Sequence, residues 1–263
     1  MSTDLERLQR KSWWAATGSG IRRTIEILPD DCAGFVKHLA DRPEVGGGVR
    51  ILSLHRLYIP GFAERKIFGM YLVFTVVKTT DSSVTFTYQY HIWKQGPESG
   101  TKGLILLGTQ TGTKGDIATF ETSHLVCLKG FSFAVGSAVH DTPGGFGDVL
   151  SLEAAFMAEL SSELGISAAD LDGTVPLGHL LVDRGLTANR PRMVAALLDA
   201  SASTKICAHP KNTDVFEMES GPVIVPVTEL WGPDGFVMQN DDSFFLGNVA
   251  RLVSLGLLVG PTG

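Results

Sequence analysis

An alternation of apolar and polar side chains across residues 83–92 is the feature that most constrains the fold. The apolar or aromatic members of this run are Val84, Phe86, Tyr88, Tyr90 and Ile92, with polar residues between them. A period of two residues is that of a β-strand with two different faces. Residues 67–80 are similarly rich in β-branched and aromatic side chains, and the turn-forming residues 80–83 separate the two runs. The sequence therefore predicts a β-hairpin, which excludes an all-helical fold.

Further runs give an irregular alternation of strands and helices. The strand-like runs are residues 103–112, 131–140, 175–183 and 221–230, and the helical runs are residues 151–164 and 241–258. The run at 131–140 combines apolar with small residues, which favours a buried central strand. This order predicts an α/β or α+β fold, in which helices pack on a mixed sheet.

Residues 1–46 differ from the rest because their apolar residues recur at helical spacing. They predict an N-terminal helical arm, and the glycines at 46–48 indicate a hinge into a main domain of residues 47–263. Trp13 and Trp14 belong to this arm. The favoured interpretation is that they cover the protein's own core. The alternative is that they contact a second subunit, which would make the protein a homodimer.

Charge and cysteine usage exclude several classes of protein. The net charge of −6 argues against a general nucleic-acid binder, which needs a basic surface to neutralise phosphates. Cys32, Cys127 and Cys207 form no CxxC pair, which favours free thiols in a reducing compartment. The charged N-terminus lacks the apolar core of a signal peptide, and no apolar run reaches the roughly 20 residues that cross a bilayer. We therefore expect a cytoplasmic protein that makes no contact with a membrane.

Glu159 and Glu163 lie four residues apart near the end of the predicted helix at 151–164. This spacing puts both carboxylates on the same helix face, where they repel one another by a few tenths of a kcal/mol. The C-terminal end of a helix is also unfavourable for anions. A divalent cation would remove this cost, because Mg²⁺ is commonly held by one or two carboxylates together with substrate phosphates. The alternative is an ordinary solvated helix face.

The segment from Pro143 to Ile166 resembles the Nudix box of the Nudix hydrolase family. That motif has a glycine, a glutamate after five residues, and seven residues later the run Arg-Glu-apolar-x-Glu-Glu-x-Gly-apolar. The matching positions are Gly144, Glu159, Leu160, Glu163, Gly165 and Ile166. Three charged positions differ: Leu150 replaces the first glutamate, Ala158 the arginine, and Ser162 the middle glutamate.

The resemblance continues beyond the box. Residues 177–198 are similar to the strand–loop–strand that follows it in ADP-ribose-type members. Residues 221–231 resemble the family's next strand, and residues 241–258 resemble its closing helix. The resemblance covers about residues 65–258. It implies a Nudix-type α/β/α sandwich with a mixed central sheet, preceded here by the N-terminal helical extension.

The resemblance also implies a reaction, namely hydrolysis of the pyrophosphate linkage in a nucleoside diphosphate derivative. The implied substrates are of the ADP-ribose or nucleotide-sugar class. Glu159 and Glu163 would be both catalytic residues and ligands of Mg²⁺ or Mn²⁺, which neutralises charge on the reacting oxygens and lowers the pKa of bound water. Gly144 and Gly145 would shape the loop that approaches the phosphates.

The three losses leave a second interpretation open. Leu150 and Ala158 remove both members of a charged pair, which leaves neither charge unpaired and lets the loop survive. Ser162 is a poor ligand for Mg²⁺, so metal affinity should fall. The chain would then be a catalytically degenerate Nudix-fold protein that binds a nucleotide, metabolite or partner, or performs other chemistry in the same cleft.

Five further residues are candidates for the same site. Asp148, Glu217 and Glu219 could supply replacement carboxylates to a metal, and a solvated loop position is the alternative for each. His140 directly precedes the glycine loop and Arg184 lies in the turn that borders the family's cleft, so both are candidates for ligand binding. For His140 the alternative is a structural hydrogen bond.

Overall fold

The computed structural model describes residues 2–132, 137–145, 152–181, 183, 185–210 and 220–260. The chain divides into two compact units. The first contains Met1–Ser99 and Leu181–Arg190, and the second contains Gly100–Leu180 and Pro191–Gly263. The boundary predicted at residue 46 lies within the first unit, and the division into an arm of residues 1–46 and a domain of residues 47–263 stays a prediction.

The first unit combines N-terminal helices with an antiparallel sheet. The helices are α1 (Ser2–Gln9), α2 (Ser19–Glu26) and α3 (Ala33–Asp41). The strands are β1 (Val45–Gly46), β2 (Val49–Tyr58), β3 (Gly69–Lys78) and β4 (Thr85–Trp93), in the sheet order β1-β2-β3-β4. β3 and β4 pair antiparallel with Val77 opposite Thr85, so the predicted hairpin is confirmed. Leu186 and Ala188 lie beside β4, where the His91 amide donates to the Leu186 carbonyl at 2.9 Å and the Ala188 amide donates to the His91 carbonyl at 3.0 Å.

The helices cover one face of this sheet and bury the paired tryptophans. Trp13 is 1% exposed and Trp14 is 6% exposed. The Trp13 ring meets the Phe74 ring of β3 edge-on, with 5.7 Å between the centroids. The interpretation that the tryptophans cover the protein's own core is therefore confirmed, and the homodimer stays a prediction.

The glycine run at 46–48 forms a tight turn. Gly46 pairs with Val49, so residues 47 and 48 alone connect β1 to β2. Gly47 and Gly48 have φ values of 59° and 77°. Two successive positive φ angles are typical of the two-residue hairpin turn that matches strand twist, and glycine adopts them without steric cost. The run is a hairpin turn, and the expectation of a hinge was wrong.

The second unit is built on a mixed sheet. Its strands are β5 (Thr101–Gln110), β6 (Phe120–Ser132), β7 (Ser137–Asp141), β8 (Leu171–His179), β9 (Arg192–Asp199) and β10 (Gly221–Pro226). Its helices are α4 (Leu152–Leu164), α5 (Ala202–Ala208) and α6 (Ser243–Ser254). The strand order is β10-β6-β5-β9-β8, in which β5 and β9 are parallel and the other pairs antiparallel.

Helices cover both faces of this sheet. Along β5, Leu104 and Leu106 pack in the layer that contains α6, whereas Ile105 and Leu107 pack in the layer that contains α4 and α5. A strand buried on both faces reads as a continuous apolar run, which explains the sequence of β5. The unit is therefore an α/β/α sandwich with a mixed central sheet, and the predicted fold class with its N-terminal helices is confirmed.

One strand differs from its prediction. The run at 131–140 was expected to be a buried central strand, but residues 131 and 132 end β6, and residues 137–140 belong to β7, which pairs with β6 off the main path of the sheet. Ser137 and Ala138 are exposed. Small apolar residues suit an edge position as well as a central one, so composition alone misplaced this strand. Within the described residues, no helix is both long enough and apolar enough to span a membrane.

A hydrogen bond between His38 and Tyr90 joins helix α3 to strand β4. His38 Nε2 lies 2.8 Å from the Tyr90 hydroxyl, which also accepts a hydrogen bond from Arg42 Nη1 at 3.1 Å. Since the guanidinium can only donate, the Tyr90 hydroxyl donates to a neutral His38. Burial, with the nearby Arg42 charge as a second cause, lowers the pKa of His38 to about 4.

This network predicts an acid-sensitive stability. An unfolded histidine titrates near pH 6.5. Between about pH 6.5 and pH 4 the unfolded chain therefore binds a proton that the folded chain excludes, and stability falls by up to about 3 kcal/mol. In His38→Gln, the amide can still accept from Tyr90 but does not titrate. The loss of unfolding free energy between pH 7 and pH 4, measured by urea unfolding, should be roughly 2–3 kcal/mol smaller in the variant than in the wild type. An equal pH dependence in the two proteins would contradict this assignment.

Candidate functional site

Helix α4 presents its two glutamates beside a buried apolar face. Phe156, Leu160 and Leu164 are fully buried against the sheet. Gly165 ends the helix with φ of 67°, as expected for a glycine at this position. Glu163 is only 7% exposed, so it is not part of a solvated helix face.

The glycine loop that precedes the helix continues the pairing of β5. The Thr101 amide donates to the Gly145 carbonyl at 3.1 Å, and the Gly103 amide donates to the Pro143 carbonyl at 2.9 Å. Gly144 has a φ of 142°, which is almost exclusive to glycine, and a Cβ there would overlap the Thr101 carbonyl oxygen. The loop backbone is therefore fixed against the first residues of β5.

Both predicted carboxylates contact this loop. Glu163 Oε2 accepts a hydrogen bond from the Gly144 amide at 3.2 Å. Gly145 lies so close to Glu159 that a Cβ would overlap its Oε1 atom. Because Gly144 and Gly145 are consecutive, both carboxylates lie against the same part of the loop backbone. The structure thus brings together the four box residues Glu159, Glu163, Gly144 and Gly145.

Lys102 lies beneath the loop and was not predicted. Its Nζ donates to Asp141 Oδ2 at 2.8 Å and to the Thr142 carbonyl at 3.1 Å. Burial disfavours the ammonium, yet Asp141, followed by Glu163 and Asp242, holds the pKa of Lys102 above its ordinary value. Lys102 is therefore a charged group that fixes the two residues before Pro143.

Asp242 is a second residue that the sequence analysis missed. It is the N-cap of α6 and accepts from the Phe245 amide at 2.6 Å. Burial and the nearby Asp141 charge raise the pKa of Asp242 to about 6. The same causes, in the same order, raise the pKa of Cys127 to about 12, so its thiol is protonated at neutral pH and a poor nucleophile.

The sequence contains signals for both missed residues. Lys102 is a charged residue at the start of an otherwise apolar buried strand, where a lysine needs a partner. Asp242 stands directly before an apolar helical run, which is a typical N-cap position.

The remaining candidates lie elsewhere or outside the described residues. His140 packs its ring against Phe236, with 4.7 Å between the centroids, and burial followed by the charge of Lys129 lowers its pKa. Asp148, Arg184, Glu217 and Glu219 lie outside the described residues, as does Leu150. Their assignments stay predictions.

The site offers a metal ion two carboxylate ligands, those of Glu159 and Glu163. Among the described residues, no group of three or more His, Cys, Asp or Glu side chains has the arrangement of a metal site. A pair of carboxylates fits Mg²⁺ or Mn²⁺ when phosphate oxygens and water complete the coordination. The donor set thus fits a cation that arrives with a phosphorylated ligand, and Glu159 and Glu163 would be its protein ligands.

Comparisons with known proteins reveal similarity to solved structures but none at the level of sequence families. No family model matches the sequence, and no curated protein matches it. Among solved structures, the crystal structure of an ADP compounds hydrolase is 15% identical in sequence with a TM-score of 0.48. The match covers 81% of this chain and 97% of that chain. A similarity at this level assigns neither a family nor a function.

The tight glycine loop predicts a large effect of one methyl group. Gly144→Ala should destabilise the second unit by at least about 1–3 kcal/mol, because alanine is strained at this φ. Its Cβ would also displace the loop from Thr101. Gly20→Ala is the matched control, since a Cβ at Gly20 meets no atom within 4 Å. Thermal unfolding measures both variants, and equal melting temperatures would contradict the described loop.

The raised pKa of Asp242 predicts a stabilising substitution. An unfolded aspartate has a pKa near 3.9, whereas Asp242 in the folded protein has a pKa of about 6. The free energy of unfolding therefore falls as the pH rises from about 4 to 6, because over this range the unfolded chain loses the proton more readily than the folded one. Asp242→Asn keeps an N-cap acceptor and removes this charge. At pH 8 it should raise the free energy of unfolding by about 1–3 kcal/mol, with little change at pH 4. Asp241→Asn, at the exposed neighbouring position, should change stability by less than about 0.5 kcal/mol.

Proposed function

We propose that this protein hydrolyses the pyrophosphate linkage of a nucleoside diphosphate derivative of the ADP-ribose or nucleotide-sugar class. The observation that carries the proposal is the meeting of Glu159 and Glu163 with the Gly144–Gly145 backbone. The Nudix-box resemblance assigns catalytic and metal-binding roles to these glutamates, and a solvated helix face would not bury Glu163. The α/β/α sandwich is also the fold that the resemblance implies.

The reaction consists of attack by water on one phosphorus of the pyrophosphate. The bond from that phosphorus to the bridging oxygen breaks, and the products are two phosphate monoesters. A bound Mg²⁺ or Mn²⁺ supplies charge neutralisation on the phosphate oxygens and a more acidic water. Glu159 and Glu163 would hold the cation.

The loop and Lys102 position the ligand in this proposal. Gly144 and Gly145 have no side chains, so a phosphate can approach the backbone closely. Lys102 fixes Asp141 and Thr142, and thereby the start of the loop, through two hydrogen bonds. A rigid loop reduces the entropy lost when the pyrophosphate is oriented for attack.

One observation favours the alternative of binding without hydrolysis. Ser162 replaces a glutamate of the box, is exposed, and donates its hydroxyl hydrogen bond to the Glu159 carbonyl at 3.1 Å. It therefore adds no carboxylate to the pair. The protein would then bind the same nucleotide class in the same cleft with weak metal affinity.

Hydrolysis is tested with ADP-ribose and a panel of nucleotide sugars in the presence of Mg²⁺ or Mn²⁺. Wild-type protein should release AMP from ADP-ribose, or the nucleoside monophosphate from another member of the panel. Glu163→Gln should lower the rate at least about 100-fold, the magnitude typical for loss of a group that stabilises the transition state. Glu121→Gln, an exposed glutamate on β6, is the matched control and should keep the wild-type rate.

Absence of product from the whole panel would reject the hydrolase proposal and leave the binding alternative. That alternative predicts thermal stabilisation by ADP-ribose or a nucleotide sugar without metal. A ligand at 100 times its dissociation constant should add about 2.7 kcal/mol. Neither turnover nor stabilisation would reject both functions.

A further inference from the structure

The first unit contains two neighbouring cavities that the proposed function does not use. The larger has a volume of about 670 Å³ and the smaller about 290 Å³. Arg42 and Tyr88 line both of them. The larger cavity has the size of a small-molecule site, and most of its wall is apolar, with Val49, Ile51 and Phe86 among the lining residues.

The guanidinium of Arg42 is held by aromatic rings. Its carbon lies 5.1 Å from the centroid of Phe74 and 5.0 Å from that of Tyr90. Nη1 donates to the Tyr90 hydroxyl at 3.1 Å. These contacts restrict the position of the guanidinium, and an immobilised guanidinium loses less entropy when it forms a two-point hydrogen bond to an anion.

Arg42 lacks an anionic partner among the residues that the structure describes. Its Nε is buried and has no hydrogen-bond acceptor there, and the described ion pairs do not include it. A buried donor without an acceptor is uncommon and needs an explanation. Because Nε is enclosed by the protein, an anion in the cavity would pair with the terminal nitrogens of the guanidinium, Nη1 and Nη2.

The charges around the larger cavity favour an anion. Glu44 also lines it, but its Oε2 accepts from the Ser12 amide at 3.1 Å and from the Ser12 hydroxyl. Lys11 donates from Nζ to the Arg42 carbonyl at 2.9 Å and adds a second positive charge nearby. His38 is neutral at pH 7 because burial lowers its pKa to about 4. The carboxylate of Glu44 is thus occupied by Ser12, whereas Arg42 and Lys11 contribute two positive charges close to each other.

We propose that the larger cavity binds a small organic anion with a flat apolar body, whose carboxylate or phosphate pairs with Arg42. The body lies against Phe86 and Tyr88, which line the cavity and are each 39% exposed. The site belongs to the first unit alone and is independent of the glycine loop and its glutamates.

The test is isothermal titration calorimetry with three probes of equal size: 2-naphthoate, 2-naphthyl phosphate and the neutral 2-naphthalenemethanol. At least one anion should bind with a stoichiometry of one, and at least tenfold more tightly than the alcohol. The two anions distinguish a carboxylate ligand from a phosphate ligand. Arg42→Gln should weaken the anion at least tenfold. Arg50→Gln is the matched control, because Arg50 is exposed on β2 between two lining residues and does not itself line the cavity.

A second variant keeps the test decisive if Arg42→Gln fails to fold. Phe86→Ala truncates a partly exposed side chain and should weaken the anion at least threefold with an unchanged melting temperature. The proposal is overturned if neither anion binds, or if the alcohol binds as tightly as the anions. It is also overturned if folded Arg42→Gln, or Phe86→Ala in its place, retains the wild-type affinity.

Discussion

The ion pair between the partly buried Lys102 and Asp141 is the interaction on which the candidate site depends. A charge at the start of an apolar strand is costly unless it is paired, and Asp141 with the Thr142 carbonyl supplies the partners. This pairing fixes the chain just before Pro143, and hydrogen bonds to β5 fix the glycines that follow. Gly103 completes the arrangement, because a side chain there would collide with Phe156 and hold α4 away from the sheet.

The same arrangement concentrates negative charge. Asp141, Glu163 and Asp242 all interact with the one ammonium of Lys102. A single positive charge cannot compensate three carboxylates, and the Asp141 charge adds to burial, the larger cause, in raising the pKa of Asp242. A divalent cation at Glu159 and Glu163 would relieve part of this excess. The electrostatics of the site therefore favour the hydrolase proposal even though the box has lost charged residues.

The sequence predicted the elements well because their signals are local. The period of two in β4, the helix that ends at Gly165, and the apolar run of β5 all follow from side-chain patterns. The edge position of β7 and the turn at Gly47–Gly48 could not be predicted, since both depend on which strand pairs with which. Lys102 was missed because Asp141 and Thr142 are distant in sequence, and Asp242 was missed because its burial depends on the tertiary structure.

Lys102 and Arg42 differ in how many of their N–H donors the protein itself uses. This difference indicates a structural role for Lys102 and a binding role for Arg42. Lys102 uses two of its three N–H donors in hydrogen bonds to the protein, and neighbouring carboxylates balance its charge. Arg42 has equally rigid surroundings but leaves a buried Nε without an acceptor in the described part of the chain. A guanidinium has five N–H groups, so Arg42 keeps donors that an anion can use after it binds Tyr90, whereas Lys102 serves the fold.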